Sequence, residues 1–480
     1  MKLSRGSRRI PVRAWCLLHA VLLQLALVAA IASAERLARH PANPRYFTDG
    51  SGKAVYLTGS HTWDNFHDLA PGGFDYEGYL AFLGRYNHNF IRMWSGSELV
   101  NAKPPIYERT DPGLALDGGP RADLTRFNQA YFDRLRLRVI AARDRGIYVS
   151  VMLFRGDNVL NEGRNKNWPK HHFNAANNIN GINGDPDGDN VGLEAHTLQI
   201  PAVVALQEAY VRKVIDTLND LDNVLYEISN EEVGAPRNPR NIAWQYYWIN
   251  YIKDYEKSQK AKQHPTMMTT QWPAEGANGV LFASPADAVS PLRGLYDESP
   301  RPADGSKIII ADVDHIWPKA PQREWIWKSF LRGLHPILMD WYGWGEPGWI
   351  SLEEQEAMRR NMGYTLTYAS KMNLAAMRPR GDLASSGYCL ADPGNAYLAY
   401  LPSKRSWIGS ISLLNAVLTN AVSVDLSAAS GPFDVEWFNP ATGAIIPGRP
   451  TTGGTKKSFT PPFSGDAVLY LRSSAGALSR

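Results

Sequence analysis

Eight short apolar runs recur between Val55 and Met339, and none of them alternates polar with apolar residues. They are Val55–Thr58, Phe90–Met93, Gly146–Phe154, Val224–Ile228, Thr266–Thr270, Asp287–Ser290, Lys307–Ala311 and Pro336–Met339. A strand with one wet face reads apolar-polar-apolar. A strand apolar throughout must be covered on both faces, which is the condition of a parallel sheet wrapped in helices. Helical periodicity fills the gaps. Tyr76, Tyr79, Leu80 and Leu83 follow Asp75 at i, i+3, i+4, i+7, and Phe132, Leu135 and Val139 form a second stripe. Val211, Val214, Ile215 and Leu218 form a third. Eight strand-then-helix units predict an α/β fold, the (β/α)8 barrel. A doubly wound open sheet is the alternative, but no Gly-rich phosphate loop follows any of the runs.

The pattern changes after Met377-Arg378-Pro379. "AYLAYL", "VSVDL", "FDVEWF" and "AVLYLR" are short strands separated by Gly, Pro, Ser and Asn, with a turn signal at Asn439–Gly443 and no helical period. Residues 379–480 are therefore expected to form an antiparallel β-sandwich. Residues 35–378 would be the barrel, with "FTDGSGKAVYL" as an N-terminal hairpin plugging its floor.

Residues 1–34 stand apart. Lys2, Arg5, Arg8, Arg9 and Arg13 precede an apolar run from Ala14 to Ile31, and Ala32-Ser33-Ala34 ends it. That is the pattern of a cleaved secretory signal peptide, and it predicts a secreted or periplasmic protein. Setting aside these five basic residues leaves 46 of the 51 Lys and Arg against all 47 Asp and Glu, a formal charge of −1. No basic footprint for nucleic acid or for an anionic membrane remains. Cys16 lies in the leader, so Cys389 would be the one cysteine left. An intramolecular disulfide and a zinc–cysteine site are then excluded.

Barrels of this type build their sites at the C-terminal ends of the strands. His61, Trp63 and Asp64 follow the first run, and Arg92 and Trp94 end the second. Arg155, Asp157 and an Asn-rich loop containing Asn178 follow the third. Asn230, Glu231 and Glu232 follow the fourth, and Gln271 and Trp272 the fifth. Asp312, Asp314, His315 and Trp317 follow the seventh; Trp341, Trp344, Glu346 and Trp349 follow the eighth. Seven tryptophans thus lie near one rim. An indole face packs against the C–H face of a sugar while amides meet its hydroxyls.

Hydrolysis of a glycosidic bond needs two carboxyl groups, one to protonate the leaving oxygen and one to attack or to activate water. Glu231 is the candidate acid/base. Asn230 beside it is placed to hold a 2-hydroxyl. Glu227 reads as a structural partner inside the barrel, and Glu232 as a supporting or solvated acid. Asp312 and Asp314, on the same side of an extended chain, are the candidates for the second carboxylate. Arg92, His61, Trp63, Asp64, Trp94, Asn178, Gln271, Trp272, His315, Trp317, Trp341 and Trp344 are the candidate substrate-binding residues. No cofactor is required.

"NVLYEISNE" resembles the fourth-strand Asn-Glu motif of the clan A glycoside hydrolases, and "HNFIRMW" resembles their second-strand Arg segment. The resemblance implies a retaining (β/α)8 enzyme with Glu231 as general acid/base, Asn230 contacting substrate and Arg92 near the nucleophile. "FTDGSGKAVYLTGSHTWDNF" and "FDVEWFNPATG…FTPPFSGDAVLYL" look like secreted bacterial proteins that pair an apiosidase-like barrel with a collagen-binding-type C-terminal domain. Clan A enzymes carry a Glu nucleophile at the end of strand seven, whereas this chain has Asp312-Val313-Asp314 there. The departure leaves retention or inversion open. It also motivates the alternative of a non-catalytic carbohydrate-binding protein or adhesin on a degenerate hydrolase barrel. A protease finds no support, since no His-Glu-x-x-His helix motif is present. Asp185, Asp187 and Asp189 alternate as hard oxygen ligands for calcium could, but the twelfth position of a loop begun at Asp185 is His196, not Glu.

Overall fold

The computed structural model describes residues 37–474 apart from residues 64, 69–72, 273–276, 317–321, 344–349 and 404–420. The leader, Asp64, Trp317, Trp344, Glu346 and Trp349 lie outside the described residues. Eight parallel strands form the barrel: β1 (Gly59–His61), β2 (Phe90–Met93), β3 (Tyr148–Arg155), β4 (Val224–Asn230), β5 (Thr266–Thr269), β6 (Ala288–Ser290), β7 (Ile308–Asp312) and β8 (His335–Met339). Their order around the sheet is β1-β8-β7-β6-β5-β4-β3-β2. The sheet is nearly closed between β1 and β2. There Asn89 acts as a clip: its backbone N–H and side-chain NH2 donate to the carbonyls of Thr58 and Tyr56, and its Oδ1 accepts the Thr58 N–H. Gly59 makes the approach possible, because a Cβ there would lie 2.4 Å from the Phe90 carbonyl oxygen.

Helices cover the outside: α1 (Tyr76–Arg85), α2 (Gln129–Arg143), α3 (Pro201–Leu218), α4 (Asn241–Gln259) and α5 (Ala277–Ala283), then, beyond a short turn α6 (Val313–Ile316) at the end of β7, α7 (Arg323–Leu331) and α8 (Leu352–Lys371). The apolar stripes of α1, α2 and α3 are buried as their spacing requires. Asp75 caps α1 through the Gly78 N–H. Outward-facing strand residues such as Ile91, Val149 and Ile228 pack beneath them. Leu57, Phe90, Leu225, Met267, Ile308 and Ile337 close the floor together with Leu37 and Phe47 of the N-terminal segment. The N-terminal segment thus packs against the floor of the barrel. The first apolar run belongs to that segment, and the first barrel strand starts at Gly59, beyond it.

A hairpin absent from the sequence reading, Tyr107–Leu114 with Pro120–Phe127, fills the connection after β2. Its polar strands, largely exposed or half-buried, carry no apolar signal. The C-terminal region is antiparallel, as expected. A seven-stranded sheet includes Cys389–Asp392, Ala396–Leu401, Pro432–Phe438 and Ala467–Ser473, and a two-stranded sheet pairs Val422–Asp425 with Lys456–Phe459. Alternation divides the large sheet. Leu398, Tyr400 and Tyr470 pack on Trp327, Phe330 and Tyr368 of α7 and α8. Ala399, Leu401 and Leu469 face Val422 and Val424 of the small sheet.

Candidate active site

Arg92 is the hub of the barrel interior. It is fully buried, so its charge is tolerable only if its donors are met. Its guanidinium donates to Glu227 through Nε (3.0 Å) and Nη2 (2.5 Å), to Asp312 Oδ2 through Nη1 (2.7 Å), and to Asn230 Oδ1 through Nη2 (2.6 Å). Ser150 adds a hydroxyl to Glu227 at 3.0 Å. Burial opposes the charge on Arg92, and Glu227 and Asp312 outweigh it, so its pKa rises. Glu227 is thus the structural partner expected from its place within β4.

Asp312 and Asp314 separate into two roles. Asp312 is fully buried at the end of β7. Its Oδ2 meets Arg92 and lies 2.8 Å from His61 Nε2, in a close contact off the direction of the ring N–H. Its Oδ1 accepts the backbone N–H of Asp314 at 3.0 Å. Burial works against its charge, but His61 and Arg92 hold its pKa far below the ordinary carboxylate range. Asp314 does not alternate with it along a strand. The Asp312 carboxylate caps the short turn α6, and that turn carries Asp314, whose side chain remains partly accessible. Burial and the neighbouring Asp312 raise the Asp314 carboxyl to about 6.

Glu231 ends the fully buried strand β4 at the point where the chain turns out, with φ +47°. Few non-glycine residues adopt that left-handed conformation, and it re-aims the side chain. One carboxylate oxygen each from Glu231 and Asp314, together with a ring nitrogen of His315, lie within 4.8 Å of one another. Burial first, and Asp314 second, raise the Glu231 pKa well above the ordinary range. The two carboxyls are therefore pushed in the same direction.

Both ring nitrogens of His315 have protein partners. Its Nε2–H points to Asn230 Oδ1 at 3.4 Å, which leaves Nδ1 to accept the Ser290 hydroxyl at 2.7 Å. Burial and Arg92 hold the ring neutral, with its pKa lowered to about 3. Asn230 Oδ1 thus receives Arg92 and His315, and the amide NH2 is the end available to a ligand.

Several residues expected to touch substrate are instead buried supports. Trp94 is 3% exposed. Its indole N–H donates to His61 Nδ1 at 3.3 Å, which puts the His61 proton on the nitrogen facing Asp312. Arg155 covers the other side of that indole, 5.0 Å from the ring centre, and pairs with Asp157 at 2.9 Å. His61 and Arg92 act through Asp312, with no exposed surface of their own. Gln271 is buried and donates to Asn241. Asn178 spends its NH2 on the carbonyls of His172, Asn174 and Ile182 and accepts the Ile182 N–H, so it caps its own loop. Trp63, Trp272 and Trp341 keep accessible surface, and Trp63 meets Trp341 edge-to-face at 4.8 Å.

The acidic loop gathers Asp185, Asp187 and Glu194 rather than Asp189. Its carboxylates already accept backbone N–H groups: Asp185 from Gly188 and Asn190, Asp187 from Asp189, and Asp189 from Val191. A self-capped turn explains the alternation without calcium. A cavity of about 870 Å³ lies at the opposite end of the strands, lined by Val55, Asn89, Tyr148, Lys371 and Glu436 among others. It is remote from Glu231 and Asp314.

A protein-family profile described as "Domain of unknown function (DUF6298)" matches residues 85–272, the segment from the end of α1 through β5. No curated protein matches the chain by sequence. Among solved structures, one titled "Glycoside hydrolase" superposes with a TM-score of 0.60 at 14% identity, covering 92% of this chain and 98% of its own. A family 5 glycoside hydrolase from Bacteroides vulgatus superposes with a TM-score of 0.59 at 14% identity, covering 92% of this chain and 94% of its own. The barrel and the C-terminal sheets together are thus the fold shared with these glycoside hydrolase structures.

Proposed function

We propose that the protein is a secreted glycoside hydrolase that cleaves an O-glycosidic bond with retention of anomeric configuration. One observation carries the reading: the accessible carboxyls of Glu231 and Asp314 approach within 4.8 Å above a floor anchored by Arg92. Retaining enzymes hold their carboxyl pair at about 5–5.5 Å, and inverting ones at about 6.5–9.5 Å to admit a water. In this reading Asp314 attacks the anomeric carbon while Glu231 protonates the leaving oxygen. Glu231 then removes the proton from the water that releases the sugar. Asn230 offers its NH2 to the 2-hydroxyl, and Trp63, Trp272 and Trp341 offer indole faces to flanking sugars.

The shorter Asp in place of a strand-end Glu has a physical answer. Asp314 stands two residues beyond the strand, on a helical turn capped by Asp312, so the turn supplies reach that the side chain lacks. The two raised pKa values also suit the roles. Both carboxyls are raised, Asp314 to about 6 and Glu231 by burial and by Asp314, so the pair holds a proton to higher pH than free carboxyls would, and this reading places that proton on Glu231. The rate should therefore be bell-shaped in pH. Its acid limb falls as pH drops through about 6, where Asp314 takes up a proton. Its alkaline limb falls where Glu231 loses one. kcat/KM measured from pH 4 to 10 checks both limbs. A rate that keeps rising below pH 5 would contradict the assignment.

The substrate class is tested with a polysaccharide and oligosaccharide panel that includes apiose-bearing glycans, since the opening and tail segments resemble apiosidase-like proteins. Wild-type protein should release reducing sugar from at least one member. Glu231→Gln should release about 10²–10⁴-fold less while keeping its far-UV circular dichroism spectrum. Wild-type turnover in that variant would reject Glu231 as the proton donor. The non-catalytic alternative predicts carboxyls beyond about 10 Å, outside both mechanistic windows. The observed approach favours the enzyme.

A further inference from the structure

The chain just beyond Glu231 is tied down by a second set of buried charges that the proposed reaction does not use. Glu232 is 1% exposed. Its carboxylate accepts the Ser229 hydroxyl at 2.5 Å, the Asn241 NH2 at 2.9 Å and His196 Nδ1–H at 2.9 Å. His196 Nε2–H donates in turn to Glu98 at 2.8 Å. With both ring nitrogens donating to carboxylates, His196 is an imidazolium, and it stacks on Trp244 with centres 4.6 Å apart. Burial opposes that charge, but Glu232 and Glu98 raise its pKa to about 10. The Asn241 amide cannot flip, because its oxygen accepts Gln245 at 2.7 Å and Gln271 at 3.2 Å.

Glu231 sits between two anchors. On one side Asn230 is held by Arg92 and His315. On the other Glu232 is held by the charges just described, and its carbonyl accepts the Trp272 N–H at 2.8 Å. Between them Glu231 keeps φ +47°, a conformation that persists in a non-glycine residue only when its surroundings impose it. Gly156 closes the remaining side, where a Cβ would lie 2.4 Å from the Glu231 carbonyl oxygen.

We propose that Glu98, His196 and Glu232 form a positioning array that holds Glu231 in its left-handed conformation and so aims its carboxyl at the leaving oxygen. The role given to Glu231 rests on the reading above. The array imposes the conformation by making Glu232 an immovable point one residue away.

The same cluster raises the question of a metal. Glu98, His171 and His196 each place one ligand atom within 4.8 Å of the others, and His171 Nε2 lies 3.6 Å from Glu98. A metal-bound histidine donates its other ring N–H to an acceptor. His171 does the reverse, since its Nδ1 accepts the Phe173 N–H at 3.0 Å. Its proton is therefore on Nε2, facing Glu98, where a metal would need a lone pair. The chemistry fits a proton-bearing array.

The test uses Glu232→Gln and Glu98→Gln in the full chain, with aryl glycosides of graded leaving-group acidity. A misaimed acid matters only when the leaving group needs a proton. Glu232→Gln should lower kcat by about 10²-fold on a phenyl glycoside, with KM little changed. It should spare kcat/KM on a dinitrophenyl glycoside, because that ratio reports only the step in which the leaving group departs, whereas kcat there also reports Glu231 acting as base on the attacking water. Glu98→Gln should give a smaller loss of the same pattern, and it decides the matter if Glu232→Gln does not fold. Crystal structures of the wild type and the variants supply an arm independent of turnover, in which Glu231 should relax to negative φ when Glu232 is neutralised. Equal losses in kcat/KM on every leaving group, a left-handed Glu231 retained in the variant, or one equivalent of metal in the purified wild type would each overturn the array. A wild type that hydrolyses no glycoside would instead defeat the enzyme reading, while the crystallographic arm still decides the positioning.

Discussion

Asp314→Asn should lower glycoside hydrolysis by about 10⁴-fold or more, whatever the leaving group, with the fold intact. The expectation comes from the division of labour between the two aspartates. Asp312 has both oxygens committed, to Arg92 and His61 on one side and to the Asp314 N–H on the other. It has no exposed surface from which to reach a sugar. Asp314 is accessible and stands opposite Glu231. An amide at 314 keeps the shape but cannot form the glycosyl ester. Losses that are insensitive to leaving group distinguish this position from Glu231, whose loss grows as the leaving group becomes more basic. Activity retained in Asp314→Asn and lost in an Asp312 variant of unchanged stability would reverse the assignment.

Arg92→Met should destabilise the protein by about 3–5 kcal/mol, read as a lower urea midpoint. Two buried carboxylates, Glu227 and Asp312, lose their partner at once. The cost is mainly the desolvation of charges left alone, not the loss of the attraction itself. Arg92→Met combined with Glu227→Gln should therefore recover part of the loss, since one of the stranded charges is removed. A double variant no more stable than the single one would contradict that origin.

Much of the barrel was legible because both-face burial leaves a sequence mark. The runs beginning at Phe90, Val224, Lys307 and Pro336 fall within a residue or two of observed strands. The first run misled because a floor plug and a strand both read as apolar. Val55 and Leu57 bury against the barrel bottom, while the strand itself begins at a glycine. The hairpin Tyr107–Leu114/Pro120–Phe127 was invisible, since exposed polar strands obey no burial pattern. In the site, Glu231 and Asn230 were legible from an abrupt polar end to a buried strand.

The roles of the remaining residues depended on side-chain partners that no local pattern encodes. Trp94 looks like a sugar platform in sequence, yet it is the packing that orients His61. Asn178 looks like a hydroxyl binder, yet its loop uses up its amide. Glu98 and His196 lie 98 residues apart and come together only through two separate strand-end connections. Asp312 and Asp314 were placed on one extended face, and the carboxylate cap that turns the chain after Asp312 was the missing step.

The central claim is that Asp314 forms the covalent bond to the sugar. Incubating the protein with 2-deoxy-2-fluoro glycosyl fluorides of the sugars released in the panel, then mapping the adduct by peptide mass spectrometry, tests it most directly. One equivalent of glycosyl ester on Asp314 is expected. An adduct on Asp312 or Glu231, or inverted product with no adduct from a substrate that turns over, would contradict it.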